Sequence, residues 1–307
     1  MKIKTAFLVG AFLCASALYS SPIYWDFPRD GNCHEGLAFS DGITGVLVWG
    51  GDDVLKITVG RGDLWDHRGG YPWTEAQSYT NIVAAVASGD RDRLYSLFKK
   101  NTPPGEPNNP FLVSLGRVVV KIDGAKLLSG ELDPKTGLGA LYYLAKGVTN
   151  KISLAMAKSP RAFAVDFPRS QSVSIDTIPA IETPEVKKAL GKIGYGPVVR
   201  IAPRKKIEGG FYWPMPGDKA VQLRWEMKDT SLFIGTSRGD ERMEFPDNCT
   251  FEGVRNSSIA QWTEFWKEGA SVNVPDSTIQ RMFDYGMYRF GAMTDPDGFP
   301  AGLQGPW

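Results

Sequence analysis

The sequence has 307 residues, a formal net charge of +1, 42% hydrophobic residues and 22% charged residues. So even a balance offers no concentrated basic face for nucleic acid, which is excluded as a partner. The hydrophobic share supports a globular core, and the length accommodates one large domain or two ordinary ones.

At the N-terminus, Lys2 and Lys4 precede an uncharged apolar run at residues 5–15. That run is too short for a lasting membrane anchor, and Ala15-Ser-Ala17 has the small-x-small pattern read by signal peptidase. Residues 1–17 are therefore predicted to be a signal peptide, with Leu18 as the first mature residue and a secreted or periplasmic location. A lipoprotein site at Cys14 does not fit, because bulky Phe12 and Leu13 precede it. No later apolar run is long enough to span a membrane. Cleavage leaves Cys33 and Cys249, which an oxidising compartment would permit to bridge. The bridge would close a loop of roughly 200 residues, worth about 5 kcal/mol of chain entropy. Two separate thiols remain the open alternative.

The next stretch reads as mainly β. Residues 45–49 and 54–59 are apolar runs joined by Gly50-Gly-Asp-Asp53, which predicts a hairpin. Further runs at 111–122, 138–144, 152–157, 162–167, 198–201, 221–227 and 231–236 are separated by turn residues. Many short strands without intervening helical periods predict a sandwich. Two helical stretches interrupt it. Residues 79–100 carry Ile82, Val83, Val86, Leu94, Leu97 and Phe98 at helical spacing, and residues 183–190 form a short helix with Pro184 near its start.

After Cys249 the period changes. Ile259, Trp262, Phe265 and Trp266 predict a helix over 257–268. Asp276 or Ser277 is the expected N-cap of a second helix, with Ile279, Met282, Phe283, Gly286, Met287 and Phe290 on its packed face. The expected organisation is a β super-sandwich at 22–252, a helical linker at 253–275 and a further helical unit starting at 276. The last helix has too few partners for its apolar face and the sequence stops on a glycine-rich loop, so the chain is expected to be truncated at Trp307. The helices are expected to be the less stable part.

The densest chemical cluster is Asp63-Leu-Trp-Asp-His-Arg68, with two carboxylates, an imidazole and a guanidinium in six residues. Its functional reading is a hydrogen-bonding loop made by Trp65, Asp66, His67 and Arg68, with an indole whose apolar face would suit a pyranose ring. Its structural reading is a turn with local Arg–Asp pairing, of small energetic value. One histidine flanked by aspartates has no metal-ligand spacing. His34-Glu35 reads as a surface turn. No nucleotide fingerprint or Ser-His-Asp order is present, and no cofactor is implied.

Several segments together resemble glycoside hydrolase family 95, the α-L-fucosidase and α-L-galactosidase group. The Gly36-Leu-Ala-Phe-Ser-Asp-Gly-Ile-Thr-Gly-Val-Leu-Val-Trp-Gly-Gly51 segment resembles the family's opening strand. Ile57-Thr-Val-Gly-Arg-Gly-Asp-Leu-Trp65, Leu115-Gly-Arg117 and Gly130-Glu-Leu-Asp-Pro-Lys-Thr-Gly137 are similar to later segments of the same sandwich. Trp262, Phe265 and Trp266 resemble the family's linker, and Tyr288 with residues 300–307 resembles its Leu-Gln-Gly-x-Trp loop. Departures fall at Ser40-Asp41 and at Asp66-His-Arg68 and bear on the sugar recognised. The resemblance implies a super-sandwich, a helical linker and the start of an (α/α)6 barrel. It also implies inverting hydrolysis by two carboxyl groups about 6.5–9.5 Å apart, both beyond Trp307. Gln304 and Trp307 are placed near the cleft by the same resemblance. The implied partner is a carbohydrate. The alternatives are a non-catalytic carbohydrate-binding or structural sandwich, and a phosphorylase of the related maltose-phosphorylase group. The export signal argues against the phosphorylase, because exported proteins lack a controlled phosphate pool.

Overall fold

The computed structural model describes residues 22–26, 35–70, 74–99, 103–202, 207–239, 243–295, 298–300, 302 and 305–307. The predicted signal peptide, Cys33, His34 and Gln304 lie outside them. The first eight strands are β1 Ile23–Asp26, β2 Leu37–Ser40, β3 Thr44–Gly51, β4 Val54–Arg61, β5 Trp65–Asp66, β6 Phe111–Leu112, β7 Gly116–Ile122 and β8 Ala125–Asp133. The others are β9 Leu138–Ala145, β10 Val148–Lys158, β11 Arg161–Asp166, β12 Val173–Pro179, β13 Val199–Arg200, β14 Glu208–Met215, β15 Asp218–Lys228 and β16 Ser231–Arg238. The helices are α1 Tyr79–Ala87, α2 Arg91–Leu97, α3 Pro184–Gly191, α4 Phe251–Glu268 and α5 Ser277–Met293.

The architecture is mainly β. Nine strands form one sheet in the order β1-β8-β9-β10-β11-β16-β15-β14-β13, five form a second in the order β12-β7-β4-β3-β2, and β5-β6 make a small ribbon. Every pairing in the two large sheets is antiparallel. Their facing sides interdigitate in a single core that includes Val46, Ile57, Val118, Leu141, Phe163, Trp213 and Leu223. Alternation shows plainly in β4, where Leu55, Ile57 and Val59 turn inward. By contrast, β3 is buried along its whole length, so its outer face is covered too.

The hairpin at Gly50-Gly-Asp-Asp53 forms as expected, with Asp52 in the left-handed region at φ 47°. Periodicity does not disclose β8 or β14. A bulge between Leu127 and Ser129 breaks the alternation of β8. Strand β14 contains Gly209 and Gly210, poor strand formers that packing demands. A Cβ at Gly209 would lie 2.7 Å from the Trp225 ring. The single helix expected over 79–100 is two, because Gly89 takes a left-handed turn (φ 67°) and Asp90 caps α2 through the Arg93 amide.

Both C-terminal helices pack on the sandwich. Helix α4 begins at Phe251, lies across β9, β10 and β11, and buries Val254, Ser258 and Trp262. Helix α4 is thus seated on the sandwich. Asp276 caps α5 as expected, accepting from the Thr278 and Ile279 amides. The packed face of α5 differs from the expected one. Asp284, Tyr288, Gly291 and Ala292 are buried, while Ile279, Met282 and Phe290 are more than half exposed. Small residues permit the close approach: a Cβ at Gly291 would come 2.7 Å from the Phe265 ring. Among the described residues no helix is long and apolar enough to cross a membrane.

Candidate functional site

The outer face of the five-stranded sheet receives Trp307, and the terminal loop brings Trp65 to its border. Ala38, Leu47 and Trp49 form a small cluster there with Trp307 against it. Gly45 and Gly60 leave room for the terminal loop, since a Cβ at Gly60 would lie 2.4 Å from the Pro306 carbonyl oxygen and one at Gly45 2.7 Å from the Pro306 carbonyl carbon. The Arg289 guanidinium lies 3.8 Å above the Trp307 ring. Trp49 donates from Nε1 to Thr58 Oγ1 at 2.9 Å, with Lys56 and Arg117 over its ring. Trp65 donates to the Gly62 carbonyl at 3.1 Å and borders Gly302 of the terminal loop. The structure thus brings Trp65 and Trp307 to one loop.

Helices α4 and α5 complete the junction. Tyr288 is buried and donates to the Ala38 carbonyl at 3.0 Å, and its ring lies 4.5 Å from that of Trp262. Helix α4 grips the turn at 133–137. Ser258 donates to the Thr136 carbonyl and Trp266 to that of Pro134, and the indole of Trp262 fills the space over Gly137. Lys135 bridges the Trp266 ring, at 3.3 Å, and the buried Asp284 carboxylate, at 3.4 Å.

The rest of the Asp63–Arg68 cluster divides. Asp63 binds Arg61 through both carboxylate oxygens. Asp66 is buried and accepts from the Arg68 guanidinium, from the Arg68 amide and from the Tyr195 hydroxyl at 2.9 Å. Arg68 also donates to the Ile193 carbonyl. Burial works to raise the Asp66 carboxyl, but these hydrogen bonds and the Arg68 charge outweigh it and hold the group below the usual carboxylate range. Tyr195 moves the opposite way, raised by burial and by its bond to Asp66. A carboxylate so saturated suits anchoring rather than proton transfer. His67 is exposed.

A polar node invisible in the sequence order lies at the end of the sandwich. Asp41 is buried, its Oδ1 accepts the Ile43 and Thr44 amides, and its Oδ2 has no hydrogen-bond partner among the described residues. Burial raises this carboxyl despite those amides and the Arg161 and Arg61 charges. Arg161 joins Asp41, at 3.5 Å, to Asp295, at 2.8 Å. Next to it Thr44 and Thr236 share a 2.6 Å hydroxyl bond, and Arg61 donates to Thr236. A cavity of about 420 Å³, lined in part by Arg61, Arg161, Thr236 and Arg238, opens beside the node. Only Asp41 carried a sequence signal. Arg161 and Asp295 are more than a hundred residues away from it along the chain. Cys249 is a buried free thiol.

No protein-family model matches the chain, and no curated protein matches it. Among solved structures the chain is similar to one described as "Putative kojibiose phosphorylase from human microbiome", with a TM-score of 0.47 and 7% identity. That similarity covers 83% of this chain and 36% of the other, so the chain spans about a third of that structure's length. A likeness at this level carries no argument about chemistry, which has to come from the geometry above.

Proposed function

We propose that the chain is the N-terminal portion of an exported glycoside hydrolase acting on oligo- or polysaccharide side chains. The observation that supports this reading is the convergence of the motif segments. Ala38, Gly45, Trp49, Gly60, Trp65, Arg117, the 133–137 turn, Trp262, Tyr288 and Trp307 were singled out only by their order along the chain, yet they meet in one continuous junction between sheet and helices. The segments that carry the resemblance are those that seat the helical unit on the sandwich. In this reading the sandwich positions a helical catalytic unit whose acid and base follow residue 307. The carboxylate at the junction fits that division of labour, because Asp284 is buried in an ion pair with Lys135. A general acid needs a proton-accessible, raised carboxyl and its base a free one.

The test is enzymatic. The product of the whole gene is expected to release the aryl group from α-L-fucosides or α-L-galactosides with inversion of the anomeric centre, followed by proton NMR, while the 307-residue chain releases none. Retention of configuration, or turnover by the 307-residue chain that an internal carboxylate substitution abolishes, would overturn the reading. The second reading is a non-catalytic carbohydrate-binding sandwich, and the groove described next favours it as a partial role.

A further inference from the structure

The two sheets part along one side of the sandwich, and a groove of about 770 Å³ opens there between β12 and the β13–β14 edge. Its floor is apolar, made by Ile175, Ile201, Ile207, Met227 and Trp225. Its lips are charged. Asp176 is exposed on one side with the half-exposed Arg200 beside it, and Asp229 stands on the other, held by Arg169. Beneath them Trp225 donates from Nε1 to Thr177 Oγ1 at 2.9 Å, which fixes the indole against Gly209.

The chemistry of the lips and floor selects the ligand. Among the described residues β12 is the edge of its sheet and pairs with β7 alone. An unpaired edge ordinarily invites an added strand. Here the position that would extend the ladder is occupied, because the Thr177 amide donates to Asp176 Oδ1 at 2.7 Å and the Thr177 carbonyl accepts from Arg200 at 2.6 Å. A peptide is therefore blocked beyond Ile175. An acyl chain would have no use for charged lips, and lips that set Asp176 and Asp229 against Arg200 and Arg169 lack the concentrated positive charge a phosphate backbone requires. What remains is an amphipathic, uncharged ligand with apolar C–H faces below and hydroxyl groups above. We infer that this groove is a saccharide-binding site, taking a neutral oligosaccharide whose ring faces lie on Ile175 and Met227 while Asp176 and Arg200 bind its hydroxyl groups. The inference rests on the sugar-directed reading above and places a second site on the sandwich, away from the Trp307 junction. A groove with an apolar floor and a few convergent polar groups is the usual form of a small-ligand site.

The test is binding to the whole chain, by isothermal titration and by two-dimensional NMR of the indole N–H groups. The probes are cellohexaose, xylohexaose and xyloglucan, with an extended Lys-Val-Lys-Val-Lys peptide as the competing class. At least one saccharide is expected to bind and to shift the Trp225 indole signal. Asp176→Ala is expected to weaken binding by about ten-fold or more, the scale of one hydrogen bond to a charged group. Ile207→Glu, at an exposed floor position, should abolish binding while leaving the thermal transition in place. The inference is overturned if no saccharide binds, if binding is indifferent to both substitutions, or if the peptide binds in place of the sugars. Failure here leaves the hydrolase reading standing, because that reading is decided by turnover of the whole gene product. If saccharide binding is instead lost on Trp307→Ala with the groove variants unaffected, the groove is overturned and the junction gains the role.

Discussion

At the residue scale, Asp66 decides what the Asp63–Arg68 segment is. Its oxygens are consumed by Arg68 and Tyr195, so Asp66→Asn is expected to cost about 2 kcal/mol, the worth of hydrogen bonds to a charged group, read as a lowered Tm. The pH dependence follows from the direction of its shift. The folded carboxyl lies below its ordinary value of 3.8, so the unfolded chain takes up the proton first. The stability from Asp66 is therefore complete above about pH 4 and is lost as pH falls through the lower folded value. The difference in stability between wild type and Asp66→Asn should shrink over that same interval, and a gap that stayed constant down to pH 2 would contradict the assignment. Trp307 makes a second residue-scale case. It covers Trp49 and stacks under Arg289. Trp307→Ala should cost about 2–3 kcal/mol, less than a fully buried tryptophan because the ring is only partly covered. Arg289→Ala should cost less than that, and the two effects should not add, which a double-mutant cycle measures.

At the element scale, the glycines of β3 and β4 and the packing of α4 carry the prediction. Gly60→Ala would drive a Cβ into the Pro306 carbonyl. It is expected to lose about 1–3 kcal/mol, as overpacking does, with the Trp307 fluorescence moving toward that of an exposed indole. A substitution of Gly124, which has open space around it, serves as the comparison for a steric cause, provided its left-handed φ of 68° is kept by using Asn. Removing residues after 250 takes away the Trp262 cover over Gly137 and strips Phe251 and Val254 from the apolar cluster they form with Phe233 and Phe245. The truncated sandwich is therefore expected to unfold less cooperatively and to aggregate, judged by differential scanning calorimetry and light scattering. Periodicity by itself leads to the opposite expectation, that the sandwich would improve without its tail. The difference lies in the turn at 133–137, which nothing in its local sequence marks as a helix-binding surface.

At the scale of the whole molecule, the α1–α2 hairpin is the part least tied to the core. Ala85 is its one buried residue among those described in the two helices, and Tyr79, Val86 and Tyr95 are largely exposed. Limited trypsin digestion of the full chain is expected to cut first at Arg91 or Arg93, ahead of any cut in α4, since local opening costs least where few apolar contacts hold an element. Mass spectrometry of the first fragments would test this. First cuts within 255–267 would show that α4 is the looser element.

Much of the architecture could be read from residue order alone. Alternating apolar runs with turn residues between them specify strands whatever lies across the core, and the Gly50–Asp53 turn and the Asp276 cap are local chemistry. The same is true of the period change after Cys249. Tertiary structure decided the rest. Which face of α5 is buried depends on Tyr288 reaching the Ala38 carbonyl and on Gly291 admitting Phe265, contacts set by elements far away in the chain. The hydrogen bonding that fills Asp66 depended in part on Tyr195, 129 residues away. The Asp41–Arg161–Asp295 node and the groove beside β12 are products of sheet order. Hydrophobic period is a property of neighbours in sequence, whereas the pairing of charges and the gaps between sheets belong to residues that meet only once the chain has folded.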